Sequence, residues 1–321
     1  MKRKVLLTFA MLCIGLIGMS QTSEEFKPGG KPFVTIFSNV HSTITDGETA
    51  TAFELSRLYL GYEYSFSPNF SAKANLDIGD PGAGKLQMTA YVKNAYVAYK
   101  NNGLTVNFGL IGTTAFKTQE KFWGNRYVEK SFQDKYGMNS SADLGVSAAY
   151  KFSDAFSADL ILVNGEGYKK LQADSAMRLG VGATINPLKK LTTRIYYDFI
   201  SKEETQSTVS LFAGYSADKF SVGAEYNKQF NNGYVDGQDL DGISAYASYK
   251  ASKKLKLFAR FDQLNSNNDW NLSKDGQLYL AGLEYVPVKG IKVAPNFNGW
   301  SPDDNSKSFI STLFLNLEIK F

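Results

Sequence analysis

The sequence predicts an all-β fold: a transmembrane antiparallel β-barrel of about sixteen strands, with a long third loop folded inward. Three observations predict it. Apolar and polar residues alternate with a period of two over most of the chain past residue 30. The connections between these stretches are short and long by turns. The first twenty residues have the layout of a secretory signal peptide.

In that first segment, MKRKVLLTFAMLCIGLIGMS, Lys2, Arg3 and Lys4 precede an apolar stretch from Val5 to Ile17. Gly18 and Ser20 then provide the small residues of a cleavage site before Gln21. The alternative, a membrane anchor, needs about 20 apolar residues, and this core is shorter. The predicted organisation is therefore a signal peptide over 1–20, a short lead-in over 21–30 and a barrel over 31–321.

Removal of the signal takes away the single cysteine, Cys13, and leaves 32 cations against 31 anions. A disulfide framework, a zinc site and an iron–sulfur cluster are excluded by one Cys and one His, and no cofactor is expected. Nucleic-acid binding loses its electrostatic basis once the charges balance. A mean hydropathy of −0.25 is too polar for a helical membrane protein.

The alternation is clear in Lys254–Leu264, where Leu255, Leu257, Ala259 and Phe261 oppose Lys256, Arg260 and Asp262. Leu191–Ile200 and Ser175–Asn186 behave alike. Strands are predicted at 31–44, 51–66, 70–79, 88–100, 104–112, 140–152, 155–164 and 175–186, and again at 190–200, 206–217, 219–230, 240–251, 254–264, 276–287, 289–299 and 308–321. Membrane-crossing strands need about 9–11 residues, whereas soluble strands centre on five or six.

Short turns such as Ser67-Pro68-Asn69, Asn101-Asn102-Gly103 and Ser252-Lys253 alternate with longer loops such as 113–139, 165–174 and 265–275. Outer-membrane barrels sort their connections this way, with short periplasmic turns and long external loops. Beside the short turns stand Tyr62, Tyr64, Phe66, Tyr99, Tyr150, Phe152, Tyr215, Phe220 and Tyr285, where a periplasmic aromatic girdle belongs. Strict alternation places Lys93 and Lys228 on the lipid face, a costly position unless the strand slips or the residue lies at the rim.

The third long connection, Thr113–Asn139, carries Lys117, Lys121, Arg126, Lys130 and Lys135, with Phe116, Phe122, Trp123, Tyr127, Phe132 and Tyr136 interleaved. That density of aromatics implies partial helical order and packing against something, which in a barrel is the inner wall. A structured external cap is the other reading. As an inward constriction its candidate residues are Lys117, Lys121, Arg126, Lys130, Lys135, Trp123 and Tyr127.

The stretches LSRLYLGYEYSFSPNFSAKANLDIG, AYVKNAYVAYK, LTVNFGLIG, QEKFWGNRYVEKSFQDKYG and SSADLGVSAAYKF resemble outer-membrane porins of the phosphate-selective O and P type, in their Bacteroidetes form. The resemblance covers about residues 55–165 best. It implies a sixteen-stranded homotrimeric porin with an inward third loop, embedded in outer-membrane lipid and lipopolysaccharide. Alternation gives pore-lining candidates Arg57, Glu63, Lys73, Arg178, Arg194, Asp198, Arg260 and Asp262, with Lys256 and Lys320 against Asp77, Asp159, Glu225, Glu284 and Glu318. The wall is nearly balanced in charge and lacks an arginine ladder, so anion preference rests on the third loop.

Gly79–Leu86 nearly spells a phosphate-binding loop, but Leu86 stands where a hydroxyl must ligate magnesium, and a strand follows instead of a helix. His41, the only histidine, lies near Ser38 and Ser42 without the spacing for an activated nucleophile. The acidic loops at Asp236–Asp241 and Asp303–Asn305 lack EF-hand spacing.

The function predicted is passive diffusion of small hydrophilic solutes or anions through the bacterial outer membrane, without enzyme activity. The alternatives are a plugged structural or adhesive barrel, and an outer-membrane hydrolase centred on His41.

Overall fold

The computed structural model describes residues 26–80 and 88–321. The signal peptide, most of the lead-in and most of the Gly79–Leu86 motif lie outside the described residues. The first eight strands are β1 (Gly29–Thr45), β2 (Glu48–Ser65), β3 (Phe70–Gly79), β4 (Thr89–Asn101), β5 (Leu104–Gly112), β6 (Ala142–Lys151), β7 (Phe156–Val163) and β8 (Arg178–Leu188). The second eight are β9 (Leu191–Ser201), β10 (Thr205–Ser216), β11 (Phe220–Phe230), β12 (Leu240–Lys250), β13 (Leu255–Ser266), β14 (Gly276–Tyr285), β15 (Ile291–Pro302) and β16 (Ile310–Lys320). Between β5 and β6 the third loop forms two short helices, α1 (Lys117–Trp123) and α2 (Phe132–Lys135).

Each strand pairs antiparallel with its sequence neighbours, and β1 closes the barrel on β16 from Thr35↔Lys320 to Ile44↔Ser311. The sixteen strands fall where the alternation put them. The lead-in is shorter than expected, because Gly29 and Gly30 already pair with Ser65 and Tyr64.

Three of the short turns share one device. The hydroxyls of Ser67, Ser153 and Ser252 each accept two backbone N–H groups, from residues two and three positions on. A serine in this position mimics a backbone acceptor and closes a tight reversal. The turn at Asn102-Gly103 uses left-handed backbone at both residues instead, with φ of 44° and 84°.

The two faces separate as the alternation requires. On β9, Arg194, Tyr196, Asp198 and Ile200 are buried while Ile195 and Tyr197 are exposed. Leu60, Val97, Phe108, Leu144, Val181, Leu211, Ile243, Leu257 and Leu313 are exposed on their strands in the same way. A continuous apolar outer surface over buried polar side chains is the inverse of a water-soluble protein, and it suits a hydrocarbon surround. The aromatics beside the short turns form ring contacts there: Tyr64–Phe66, Tyr150–Phe152 and Tyr215–Phe220.

Lys93 corrects the strict alternation. Opposite it the β3–β4 register shifts, Asn75 pairing with Asn94 and Leu76 with Val92, so Lys93 is the extra residue of a β-bulge. The bulge turns its side chain to the polar face, where it meets Asp77 at 3.4 Å. Lys228 stays on the outer face but sits two residues from the end of β11, 3.9 Å from Asp239 and over the Phe230 ring. One lysine is accommodated by slip, the other by its place at the rim.

If the outer face is lipid-solvated, Leu211→Arg, mid-strand in β10, will destabilise the barrel by about 2–4 kcal/mol, as arginine does near a bilayer midplane. The urea midpoint of folding into vesicles measures this, and an unchanged midpoint contradicts a lipid-facing Leu211.

Candidate functional site

Most charged side chains of the described inner face are paired with one another, while Glu225 accepts from Asn227. Arg57 binds Asp77 at 2.7 Å, Lys73 binds Glu63 at 3.0 Å and Arg178 binds Asp198 at 2.5 Å. Arg194 reaches Asp159 at 2.6 Å, Lys256 reaches Glu284 at 3.0 Å and Arg260 reaches Asp262 at 2.7 Å. Glu318 takes both Lys292 and Lys320. Most of these pairs bridge neighbouring strands. Arg194 crosses a whole strand from β9 to β7, and Gly182 on β8 is what lets it pass: a Cβ there would lie 2.3 Å from the guanidinium. Buried pairs such as Arg260–Asp262 are costly to break, about 3–5 kcal/mol on losing one partner.

The third loop is fastened to the buried faces of β9–β16. Gln119 donates to Ser210 and Gln133 to Asn227, at 3.1 and 2.8 Å. Asn139 donates to Asp198, and Tyr127 to Glu284 at 2.9 Å. Lys256 donates to Asn125, and Arg260 to the Lys130 carbonyl. Trp123 packs its indole against Tyr246 and Phe258 with the Arg260 guanidinium over it. The aromatics of the loop thus supply the core that joins it to the wall.

Beside the loop, among the described residues, three neighbouring cavities each take lining residues from β1–β5, and the first also from β6–β8. One of 370 Å³ is bordered by Arg57, Lys93, Arg126, Lys130 and Lys169. A second of 460 Å³, toward β1 and β16, shares Arg57, Arg126, Lys130 and Lys169. A third of 370 Å³, nearer the short turns, shares Lys93 and Arg126 with the first. Arg126 borders all three.

Two loop carboxylates hold Arg126, Asp134 at 2.9 Å and Glu120 at 3.3 Å. Burial works against its charge, and Asp134, Tyr59 and Glu120 together outweigh that, so it stays a cation. Burial raises the Glu120 carboxyl; Arg126 pulls it back and Asp134 pushes it further up. Burial lowers Lys130; Asp134 offsets this, and repulsion from Arg126 and Arg57 adds to it. Lys169 is lowered by burial and then by Arg57 and Lys130. Cations that depress one another mark a region of positive potential.

The sequence-derived candidates divide by this geometry. Arg57, Lys73, Lys117, Arg126, Lys130 and Arg178 border the cavities, and Tyr127 borders one while anchored to Glu284. Lys121 is exposed away from all three, and Lys135 turns back to Glu129 at 2.6 Å. Glu63 is held by Lys73 outside the cavity linings. Trp123, Arg194, Asp198, Arg260 and Asp262 are buried in the contact between loop and wall. Alternation finds the inner face but not which part of it a loop covers. It missed Lys93, whose bulge has no strong sequence signal, and Lys169, in a loop read only as a connection.

His41 donates or accepts at Asn39, 2.7 Å away, and its ring lies on Phe314. Ser42 bonds to Thr51 instead. Asp239 caps the Asn231 N–H and Asp304 bonds Ser306, both ordinary loop contacts.

The architecture is that of a closed sixteen-stranded barrel of the kind found in outer-membrane porins. No family model matches the chain, and no curated protein is similar to it. Solved structures are similar in fold at low identity. The outer-membrane channel DcaP of Acinetobacter baumannii superposes with a TM-score of 0.66 at 13% identity, over 94% of this chain and 100% of that one. OprB of Pseudomonas putida gives 0.71 at 10% identity, over 91% and 94%. OmpF of Salmonella typhi, solved with daunomycin, gives 0.69 at 12% identity, over 91% and 97%.

Glu129 reports on the loop's fastening. Burial would raise its carboxyl, but Lys135 and Arg260 with the Lys130 N–H hold it at about 2. Its contribution to stability is therefore present above the usual 4.5 and is lost as pH falls through about 2. Trp123 donates its indole N–H to the Glu129 carbonyl. In a variant keeping only this tryptophan, its fluorescence will hold steady down to about pH 4 and change only toward pH 2; a transition centred near 4.5 contradicts the latch.

Proposed function

We propose that the chain is an outer-membrane porin through which small hydrophilic solutes diffuse passively, with a preference for anions. In this reading residues 1–20 direct export, the residues from 21 up to the start of β1 at Gly29 lead into the barrel, and the third loop lies inside as a constriction. The observation that carries it is the gathering of Arg57, Lys93, Arg126, Lys130 and Lys169 around neighbouring cavities that share lining residues, where cations outnumber the carboxylates.

The mechanism needs no moving part. A fixed constriction sets a size limit, and positive potential concentrated between low-dielectric walls raises the local concentration of anions. Arg126, where the three cavities meet, is the residue every solute passes in this reading. Its two carboxylate partners keep it in place and temper its charge, so an anion is attracted without being trapped. The likeness of residues 55–165 to phosphate-selective porins supports the same sign of selectivity, and it supports a homotrimer in lipopolysaccharide-rich lipid. The contacts of His41 give no support to a hydrolase.

Refolded protein in a planar bilayer under a KCl gradient tests this. The reversal potential will favour chloride at low salt, and Arg126→Gln with Lys130→Gln will reduce the chloride-to-potassium permeability ratio by roughly threefold to tenfold. Raising salt toward 1 M will erase the preference, because the screening length falls to about 3 Å. A folded barrel without conductance, or one that favours potassium, overturns the proposal.

A further inference from the structure

The two ends of the passage are lined differently. Of the two cavities toward the long loops, the first is bordered mainly by charged residues, glycines and small polar residues, and the second by cations and carboxylates with Phe37, Tyr127 and Phe314. The third, toward the short turns, is bordered by Phe33, Phe37, Tyr59, Tyr96 and Phe116, with Lys73, Lys93 and Lys117 among them. It lies at that end because β1 enters there: Val34 bonds to the Phe321 carbonyl, and Phe33 faces Gly61.

The aromatic rings there are laid along the wall. Phe33 lies over Gly61, where an added Cβ would come within 2.3 Å of the ring. A ring opposite a strand glycine lies flat on the backbone and leaves its other face to the cavity. Lys73 stands 4.6 Å from the Phe33 centroid, and Lys93 stands 5.1 Å from that of Tyr59. Each lysine is also tied to a carboxylate, Glu63 for Lys73 and Asp77 for Lys93. On the opposite side the inner-facing aromatics Phe212, Tyr246 and Phe258 are covered by Phe122 and Trp123 of the third loop, with polar residues such as Asn227 and Ser244 between them. A passage for inorganic ions alone has no use for aromatic faces, which desolvate what lies against them. A cation beside a flat apolar surface complements a solute with an anionic head and a planar body.

We propose that the preferred solute is an aromatic carboxylate. Its head passes from Arg57 and Lys130 to Arg126, and then to Lys93, while its ring slides along Phe33, Tyr59 and Tyr96. This rests on the channel reading and specifies the substrate class of the same site. A cavity of 370 Å³ lies within the range that holds small organic ligands.

The experiment compares potassium benzoate, potassium acetate and potassium chloride in the planar bilayer, with full-length mature protein. Acetate diffuses faster than benzoate in water, so a featureless anion pore passes acetate better. The inference expects benzoate to exceed acetate in permeability by threefold or more. It also expects Gly61→Ala, which displaces the Phe33 ring, and Tyr96→Ser to bring that ratio to the aqueous value, each leaving the chloride reversal potential unchanged. The wild-type ratio alone decides the matter if either variant fails to fold. A chloride-favouring channel that passes acetate better than benzoate overturns this inference and leaves the porin reading intact. A folded barrel with no conductance overturns both.

Discussion

The pairing of β1 with β16 is the contact on which the rest depends. Inside a bilayer every backbone N–H and C=O must find a partner within the protein, and an open sheet leaves two edges without one. Closure satisfies both edges and fixes an inside and an outside. Each strand must then alternate: Ile195 and Leu211 outward, Arg194 and Phe212 inward. Closure also encloses a volume that sixteen strands leave too wide for wall side chains to fill. The third loop, rich in aromatics, bonds to Ser210, Asn227, Asp198 and Glu284 of β9–β16.

Placing charge inside such a barrel is costly unless it is neutralised nearby. The inner wall answers this with pairs across neighbouring strands, Arg178 with Asp198 and Lys256 with Glu284 among them. The loop then lies on paired, hydrogen-bonded groups rather than on free ions. Tyr136 donates to Asp262, and Asn139 to Asp198. Positive potential survives on the side the loop leaves open, where Lys93, Arg126 and Lys130 approach one another. The division of the lumen into a fastened half and an open half follows from which strands the loop engages.

The strands were legible in the sequence because their pattern is strict and long. Leu255–Phe261 and Leu191–Ile200 keep the period of two over most of their length, and short turns such as Ser252-Lys253 mark their ends. The pattern failed at Lys93, because a bulge inserts one residue and reverses the face of everything beyond it. The site was legible only in part. Arg126 and Lys130 stood out as cations in an aromatic loop, but nothing local separates them from Lys121, which is exposed, or from Lys135, which closes on Glu129. Arg260 and Asp262 read as pore wall because alternation reports a face and not what later covers it. That information lies in contacts between residues more than a hundred positions apart, such as Arg260 with Lys130.

The central claim is that the loop is fastened to the β9–β16 side and leaves the passage beside β1–β5. The most direct measurement replaces Gln133 and Asn227, whose side chains bond at 2.8 Å, with cysteines in a chain whose own Cys13 is replaced by serine. A short bifunctional thiol reagent then bridges them in a planar bilayer. The account predicts rapid bridging with single-channel conductance unchanged, because the tether only repeats an existing contact. Failure to bridge in a folded barrel, or loss of conductance on bridging, would contradict it.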